Sequence, residues 1–419
     1  MKNARKSRSP GWGMTVSVMI FYFAAFLLLA LKDYHWQGFA LMVLVPLGIW
    51  TGTYIMVYLV PVDRLVLALT NFLCAMGILI LYDTQPLLAY RQVAYYGIGT
   101  VGMVSSMILV RKVRTLRNSI WLLAACSLVF LGLPLLMGRE INGAKNWIFL
   151  GQRSVQPSEI VKILMLAVLA QFLSRRQFFP CLCFSAGCLL LLMLQKDLGT
   201  ALLYYGVTLL LFFIATGNIL LTALGLLGGA GASVLGYHMF AHVRRRVAVW
   251  MNPWADYENA GYQIAQGLMA LASGRWFGVG LGLGSPKTIP VYSTDYIFAV
   301  ICEQFGLIVG VCILIMYVLL IWRGARIAMA ARSSFHAYLC MGATCMLGLQ
   351  TFVIIGGVIK LIPLTGVTMP FVSAGGSSLL SSMCLVGIIQ GVASVNEDQI
   401  SGEILLAQTE YREIKHAVH

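Results

Sequence analysis

Asp295 stands in the stretch YSTDYIFAVICEQFG, immediately ahead of an apolar run. A carboxylate there can cap a helix, take a proton from a hydroxyl, or hold a metal ion. Few residues compete for such work. Of 15 carboxylates, five (Glu397, Asp398, Glu403, Glu410 and Glu413) fall after Asn396. Asp33, Asp63 and Asp83 lie in short loops beside apolar runs, where a solvated or capping role is expected. Glu159 and Lys162, in QPSEIVKILML, are spaced i, i+3. They can pair on one helix face, as a structural ion pair or as the lining of a site. Asp197 in QKDLGTALL reads as an N-cap. Glu303 lies about two helical turns past Asp295, so both can face one water-filled cavity, where a buried Glu303 needs a partner.

Other chemistries find no support. The six histidines show no H-x-x-x-H spacing, and no G-x-x-x-x-G-K-[ST] loop occurs. No zinc, haem or nucleotide is expected. The ten cysteines fall in or beside apolar runs and read as small buried hydrophobes.

The elements that must position these groups are membrane helices. The chain is 59% hydrophobic and 11% charged, against about 25% charged in soluble domains. Its mean hydropathy is +0.84. Apolar runs of bilayer length recur near 12–31, 38–60, 64–82, 90–110, 119–137, 159–174, 179–195, 199–215, 219–240, 296–322, 335–358 and 374–395, about twelve spans in all. The first reads as a retained helix because it lacks a small-residue cleavage site. The run near 199–215 is either a full span or partly re-entrant. This predicts an all-α polytopic membrane protein with both termini on one side.

With the N-terminus inside, the inner loops hold Arg111, Lys112, Arg114 and Arg117, then Arg175 and Arg176, then Arg323, Arg326 and Arg332. That matches the positive-inside rule. The net charge of +14 then reflects loop cations that meet anionic lipid rather than nucleic acid. Two outer loops run against the rule. Residues 138–158 carry Arg139, Lys145 and Arg153; residues 241–294 carry Arg244, Arg245, Arg246, Arg275 and Lys287. The second is too long for a plain connection. Its amphipathic GYQIAQGLMALAS and glycine-rich GRWFGVGLGLGSP read as a re-entrant or interface-lying segment. Residues 396–419 read as a short solvated tail. The residues thus predict an outer-facing, arginine-rich site with carboxylates beside lipid. Arginine forks bind phosphate oxygens, so a phosphorylated lipid is the natural ligand. Whether the protein moves it or reacts with it stays open at this level.

Four blocks in order carry a resemblance: NGAKNWIFLGQRSVQPSEIVKI (142–163), QKDLGTALL (195–203), GYQIAQG through STDYIFAVICEQFGLIVG (261–310) and GGVIKLIPLTGVTMPFVSAGGSSLL (356–380). Together they resemble the SEDS family, the RodA, FtsW and SpoVE-like proteins. The resemblance implies a peptidoglycan glycosyltransferase that polymerises lipid II at the outer face of the bacterial cytoplasmic membrane. It also implies a class B penicillin-binding protein as transpeptidase partner. The family's essential aspartate precedes a T-D-F-I-F-A-V helix, which here reads T-D-Y-I-F-A-V and passes the role to Asp295. The basic Q-R-x-R-V element matches Arg244 and Arg246, and K-x-W matches Lys145 and Trp147. The matching blocks add Gln263, Gln266, Ser377 and Ser378 to the substrate-binding set, with Glu159, Lys162, Asp197 and Glu303 structural or lining the site.

The resemblance also implies a core of ten spans at 63–395, with two extra helices in residues 1–62 before it and a tail at 396–419. The large outer loop, 241–294, precedes the tenth helix of the chain. Departures from the pattern are Asn252-Pro253 for Asp-Pro, Val291-Tyr292-Ser293 after Pro290, Ile354 for asparagine and Lys360 for glycine. In the reaction implied, Asp295 is the general base in a single inverting displacement, or else holds a divalent cation such as magnesium or manganese. Arg244, Arg246 and Lys145 face the leaving pyrophosphate. A lipid II flippase and a scaffold for the transpeptidase are the alternatives. Division, elongation and sporulation all remain open as the setting.

Overall fold

The computed structural model describes residues 12–33, 36–59, 61–112, 119–141, 143–151 and 153–417. Arg114 and Arg117 of the charge pattern lie outside them, as do the basic residues Lys2, Arg5, Lys6 and Arg8 that flank the first span. The first four helices are α1 (Trp12–Asp33), α2 (Trp36–Leu59), α3 (Arg64–Thr84) and α4 (Pro86–Arg111). α5 (Ile120–Met137) leads into a small sheet of β1 (Arg139–Ile141), β2 (Ala144–Leu150) and β3 (Arg153–Val155). Then come α6 (Pro157–Ser174), α7 (Phe178–Leu194), α8 (Leu198–Thr216), α9 (Ile219–Met239), α10 (Ala241–Met251) and α11 (Tyr262–Gly274). The chain closes with α12 (Ile297–Met329), α13 (Ser334–Val358) and α14 (Gly376–Ala417).

All twelve expected apolar helices form among the described residues. Eleven are long and apolar enough to cross a membrane, and α7 is a 17-residue helix. At 1.5 Å per residue α7 covers about 26 Å, a little under the hydrocarbon core. α8 is a complete 19-residue helix, not a partial one. Its ends are written locally: Asp197 caps the first turn by accepting from the Thr200 amide, and Gly217 at φ 64° closes the last. The chain is not helical throughout, since β1, β2 and β3 form an antiparallel three-stranded sheet. The long segment before α12 is not a loop either. It holds α10, a 3-10 turn at Pro253–Asp256, and α11 where the amphipathic GYQIAQGLMALAS lies. The last helix does not stop at 395 but runs on through the acidic segment to Ala417.

The interior is built from α3, α6, α13 and the membrane part of α14, while α9 has no buried residue among those described and packs chiefly on α8 and α10. Lipid tails are as apolar as leucine, so close packing and internal polar bonds hold such bundles together. At one end Asp63 does much of this. Its carboxylate caps α3 and meets Arg323 Nε at 2.6 Å, while its backbone exchanges two hydrogen bonds with the Gln390 amide. At the same end Asn396 donates to the Ile327 carbonyl, and Arg111 pairs with Asp398 at 2.7 Å.

α1 and α2 dock on α3 and α4. The Tyr22 hydroxyl donates to the Phe72 carbonyl at 2.7 Å, Asn71 donates to Thr53 at 3.0 Å, and Tyr90 to Gln37 at 3.0 Å.

Candidate active site

Asp295 closes a turn in which the amides of Thr294 and Asp295 both bond the Val291 carbonyl. It does not cap α12: the cap position belongs to Tyr296, and among the described residues no side-chain cap bond is made there. The carboxylate is therefore left for other use. Its turn is fastened to the connection between α13 and α14. The Ser373 hydroxyl donates to the Thr294 carbonyl at 2.5 Å, and the Ala374 amide to the Ser293 carbonyl at 2.9 Å. The same connection brings Gly366 beside Asp295, where an added Cβ would lie 3.7 Å from Oδ2. One residue earlier, the Thr365 carbonyl accepts from Arg246 at 3.2 Å.

Half-burial raises the Asp295 carboxyl above the ordinary carboxylate range; a hydrogen bond from Thr294 and the charge of Arg246 pull it back down. The phenol of Tyr296 is also raised, by burial and then by the Asp295 charge, and its oxygen has no partner among the described residues.

Arg244 and Arg246 do not share a face. Two residues along a helix turn a side chain by about 200°, and α10 is a regular helix. Arg246 is the one that reaches the Thr365 carbonyl and acts on Asp295, while Arg244 is exposed elsewhere on α10. The residue that does share the Arg246 face is His242, one turn back at i−4. Burial, then Arg246 and Lys196, hold its imidazole below the usual value, and its Nε2 is buried without a partner among the described residues. His242 was legible as the i, i+4 partner of Arg246 in AHVRRRV, but metal-ligand spacing does not find it.

Of the other basic candidates, Lys145 lies on β2 and its ammonium donates to the Leu135 carbonyl at 2.8 Å. Trp147, two residues on, is half-buried and pairs across the sheet with Arg139. Between them Asn146 points the other way and donates to Asp197 at 2.8 Å, as Gln156 does at 3.2 Å. Asp197 thus caps α8 and also anchors the sheet. Gln266 donates to the Tyr257 hydroxyl at 3.0 Å, and Gln263 and Ser377 are half-buried.

Glu159 and Lys162 form a buried pair at 2.9 Å within a closed polar ring. Lys162 also donates to Gln350 at 3.0 Å, Gln350 to the Thr368 carbonyl at 2.9 Å, and Thr368 shares a 2.5 Å bond with Ser378. Ser381 closes the ring by donating to Glu159 at 2.5 Å and to the Ser378 carbonyl at 3.0 Å. The ring links α6, α13 and α14 to the connection that carries Thr365 and Gly366, so its role is to set that connection's position.

Glu303 turns to a different neighbour. α12 breaks at Gly306, whose φ of 83° and ψ of 171° are not helical. The bonds 307→303 and 308→304 are replaced by four to a strap of residues 275–280. The amides of Val279 and Gly280 donate to the carbonyls of Glu303 and Gln304, and the amides of Leu307 and Ile308 to those of Arg275 and Trp276. A broken span is tolerated where protein satisfies the freed backbone. The Glu303 carboxylate accepts from the Ser285 amide at 3.1 Å, with its other oxygen unpartnered among the described residues. Asp83 is likewise no solvated loop residue: its buried side chain accepts from Gln304 at 2.6 Å. The break in α12 explains why, because it turns Gln304 and the strap toward the end of α3.

Among the described residues no three His, Cys, Asp or Glu side chains come together as a metal cluster. Asp295 alone could share a divalent cation with water and phosphate oxygens, as magnesium sites commonly do.

Fold and site define a multi-pass membrane protein with a half-buried carboxylate and an arginine at one end of its spans. The chain belongs to the FtsW/RodA/SpoVE family of cell cycle proteins, which matches residues 56–398. It is 36% identical over 332 residues to the peptidoglycan glycosyltransferase RodA of Mycobacterium tuberculosis strain H37Rv, covering 73% of this chain and 70% of that protein. It is 35% identical over 356 residues to stage V sporulation protein E of Bacillus subtilis, covering 79% and 96%. Two solved structures resemble it. One is a chain of a peptidoglycan synthase complex described as coordinating polymerization and crosslinking: TM-score 0.69, 28% identity, 81% of this chain and 98% of that one. The other is the rod shape determining protein RodA of Thermus thermophilus: TM-score 0.60, 27% identity, 80% and 98%.

Proposed function

We propose that this chain is a peptidoglycan glycosyltransferase that polymerises lipid II at the outer face of the bacterial cytoplasmic membrane, with Asp295 as general base. The observation that carries the mechanism is the row Asp295, Gly366, Thr365, Arg246. It sets a carboxylate and a guanidinium along one backbone segment with a glycine between them. The acceptor sugar's 4-hydroxyl loses its proton to Asp295 as its oxygen bonds the donor's anomeric carbon. The bond from that carbon to the polyprenyl pyrophosphate breaks in the same step, inverting the centre. One carboxylate suffices because pyrophosphate leaves without protonation. A base with a pKa raised toward neutrality is better matched to this task than an ordinary carboxylate. Arg246 meets charge growing on the leaving group.

The activity named for the relatives supports the reaction class. The positive-inside bias supports both termini on the cytoplasmic side and the site outside. The relative solved within a synthase complex supports a class B penicillin-binding protein as partner. A divalent cation shared by Asp295 and the pyrophosphate would add Lewis-acid stabilisation there.

Purified protein with fluorescent lipid II, analysed on gels for glycan polymer with and without a class B partner and EDTA, tests the reading. Polymer is expected. Translocation of lipid II across a vesicle membrane with no polymer under any condition would overturn it. Arg246→Ala is expected to lower turnover about ten- to a hundredfold, less than a fully enclosed anion-stabilising donor because the guanidinium is exposed. Unchanged kinetics would remove Arg246 from the site.

A further inference from the structure

We propose that Lys32, at the end of the first N-terminal helix, is a positioning residue for the Asp295 site, acting through the glycine-rich strap. The inference rests on the glycosyltransferase reading only for its activity measurement.

The strap leaves α11 at Gly274 and enters the break in α12 with residues 275–280. It must then turn and run to the 3-10 turn at Pro286–Thr288 before reaching Asp295. Gly278, Gly280 and Gly282 all have positive φ, at 81°, 113° and 76°. Glycines give the chain access to these conformations but lose the most freedom when fixed, so the strap depends on outside contacts to hold its course. Past Gly280, three side chains supply them. Lys32 donates to the Gly282 carbonyl at 2.6 Å; Gln304 accepts from the Gly282 amide at 3.4 Å; Glu303 accepts from the Ser285 amide at 3.1 Å. Gln304 and Glu303 belong to α12 itself. Of these three hydrogen-bonding side chains, Lys32 is the one that lies outside α12.

The ammonium is held where it can do this. Asp83 Oδ1 lies 3.9 Å from it, and Gln304 bonds the other Asp83 oxygen. α1 is fixed to α3 by Tyr22 on the Phe72 carbonyl. A cation in the last turn also suits the helix dipole. The fit is close enough that a Cβ on Gly282 would lie 2.7 Å from Lys32 Nζ and 2.8 Å from Asp83 Oδ1. Lys32 lies ahead of the residues that match the family, 56–398. An element added before the family core therefore fastens the segment that delivers the core's carboxylate.

The test uses the full-length chain with Lys32→Met, which keeps the apolar stem and removes the donors, and Lys32→Arg, which restores them. Hydrogen–deuterium exchange of the 279–285 amides is expected to rise about tenfold in Lys32→Met, with α6 protection unchanged as the control for folding. Turnover of lipid II is expected to fall about tenfold with KM nearly unchanged, since the defect is one of placement. Lys32→Arg recovers both. Unchanged strap exchange overturns the proposal, as does raised exchange with unchanged turnover, a loss carried by KM alone, or no recovery in Lys32→Arg. Exchange needs no substrate. A chain that polymerises nothing therefore sinks the glycosyltransferase reading, while strap protection still decides whether Lys32 holds the strap.

Discussion

Asp295→Asn is expected to lose polymer formation by about 10²- to 10⁴-fold, the range a positioned general base contributes. Asparagine matches the carboxylate in size and cannot take the proton. The fold should not suffer, and the sign can be worked out. Burial raises the Asp295 carboxyl above its ordinary value. A carboxylate whose folded pKa is raised contributes stability below its unfolded pKa, and that contribution is lost as pH rises through the folded value. At neutral pH the ionised group therefore favours unfolding slightly, and the Asn variant should melt no lower than wild type.

Activity follows the opposite direction. It is lost as pH falls through the raised value, so its acid limb lies above that of an ordinary exposed carboxylate. Arg246→Ala removes a charge that lowers this pKa, so the limb moves to still higher pH. A pH–rate profile on both proteins checks this. Full polymerisation by Asp295→Asn would remove the base from the mechanism. Loss of activity in wild type with EDTA, restored by magnesium, would favour Asp295 as a metal ligand.

Lys162→Met is expected to destabilise the protein by about 3–5 kcal/mol, the usual consequence of leaving one member of a buried pair alone. Lys162 is fully buried, and both of its polar partners would change. Among the described residues Glu159 would keep Ser381 alone as a side-chain donor, and Gln350 would lose the bond that orients it toward the Thr368 carbonyl. Thermal unfolding in detergent measures the loss. Adding Glu159→Gln should recover most of it, because the uncompensated charge goes. Activity should fall further than stability explains, since the ring carries the connection that bears Thr365 and Gly366. A change under about 1 kcal/mol would mean that water reaches the pair, contrary to its burial.

What could be read along the chain was whatever a short stretch encodes by itself. The membrane helices follow from runs of apolar residues, because a span must satisfy its backbone internally and face lipid. Asp197 as a cap and Glu159 with Lys162 as a pair follow from spacings of three or four residues, which one helix turn brings together. Asp295 stood out because the sequence offers so few carboxylates, and the resemblance then gave it a role. Three features could not be reached this way. Arg244 and Arg246 look equivalent in a basic run, but only the docking of α10 against residues 359–375 decides that Arg246 reaches Thr365. The glycine-rich segment does not announce that it enters α12, since the exchange of hydrogen bonds needs both partners at the break. Lys32 and Gly282 are 250 residues apart. Apolar runs and a short roster of carboxylates were enough to mark a membrane protein, the rough places of its helices and Asp295 as the residue to watch. What surrounds that carboxylate came only with the packed fold, because a side chain's neighbours are chosen by packing between helices, and no periodicity within a single helix records them.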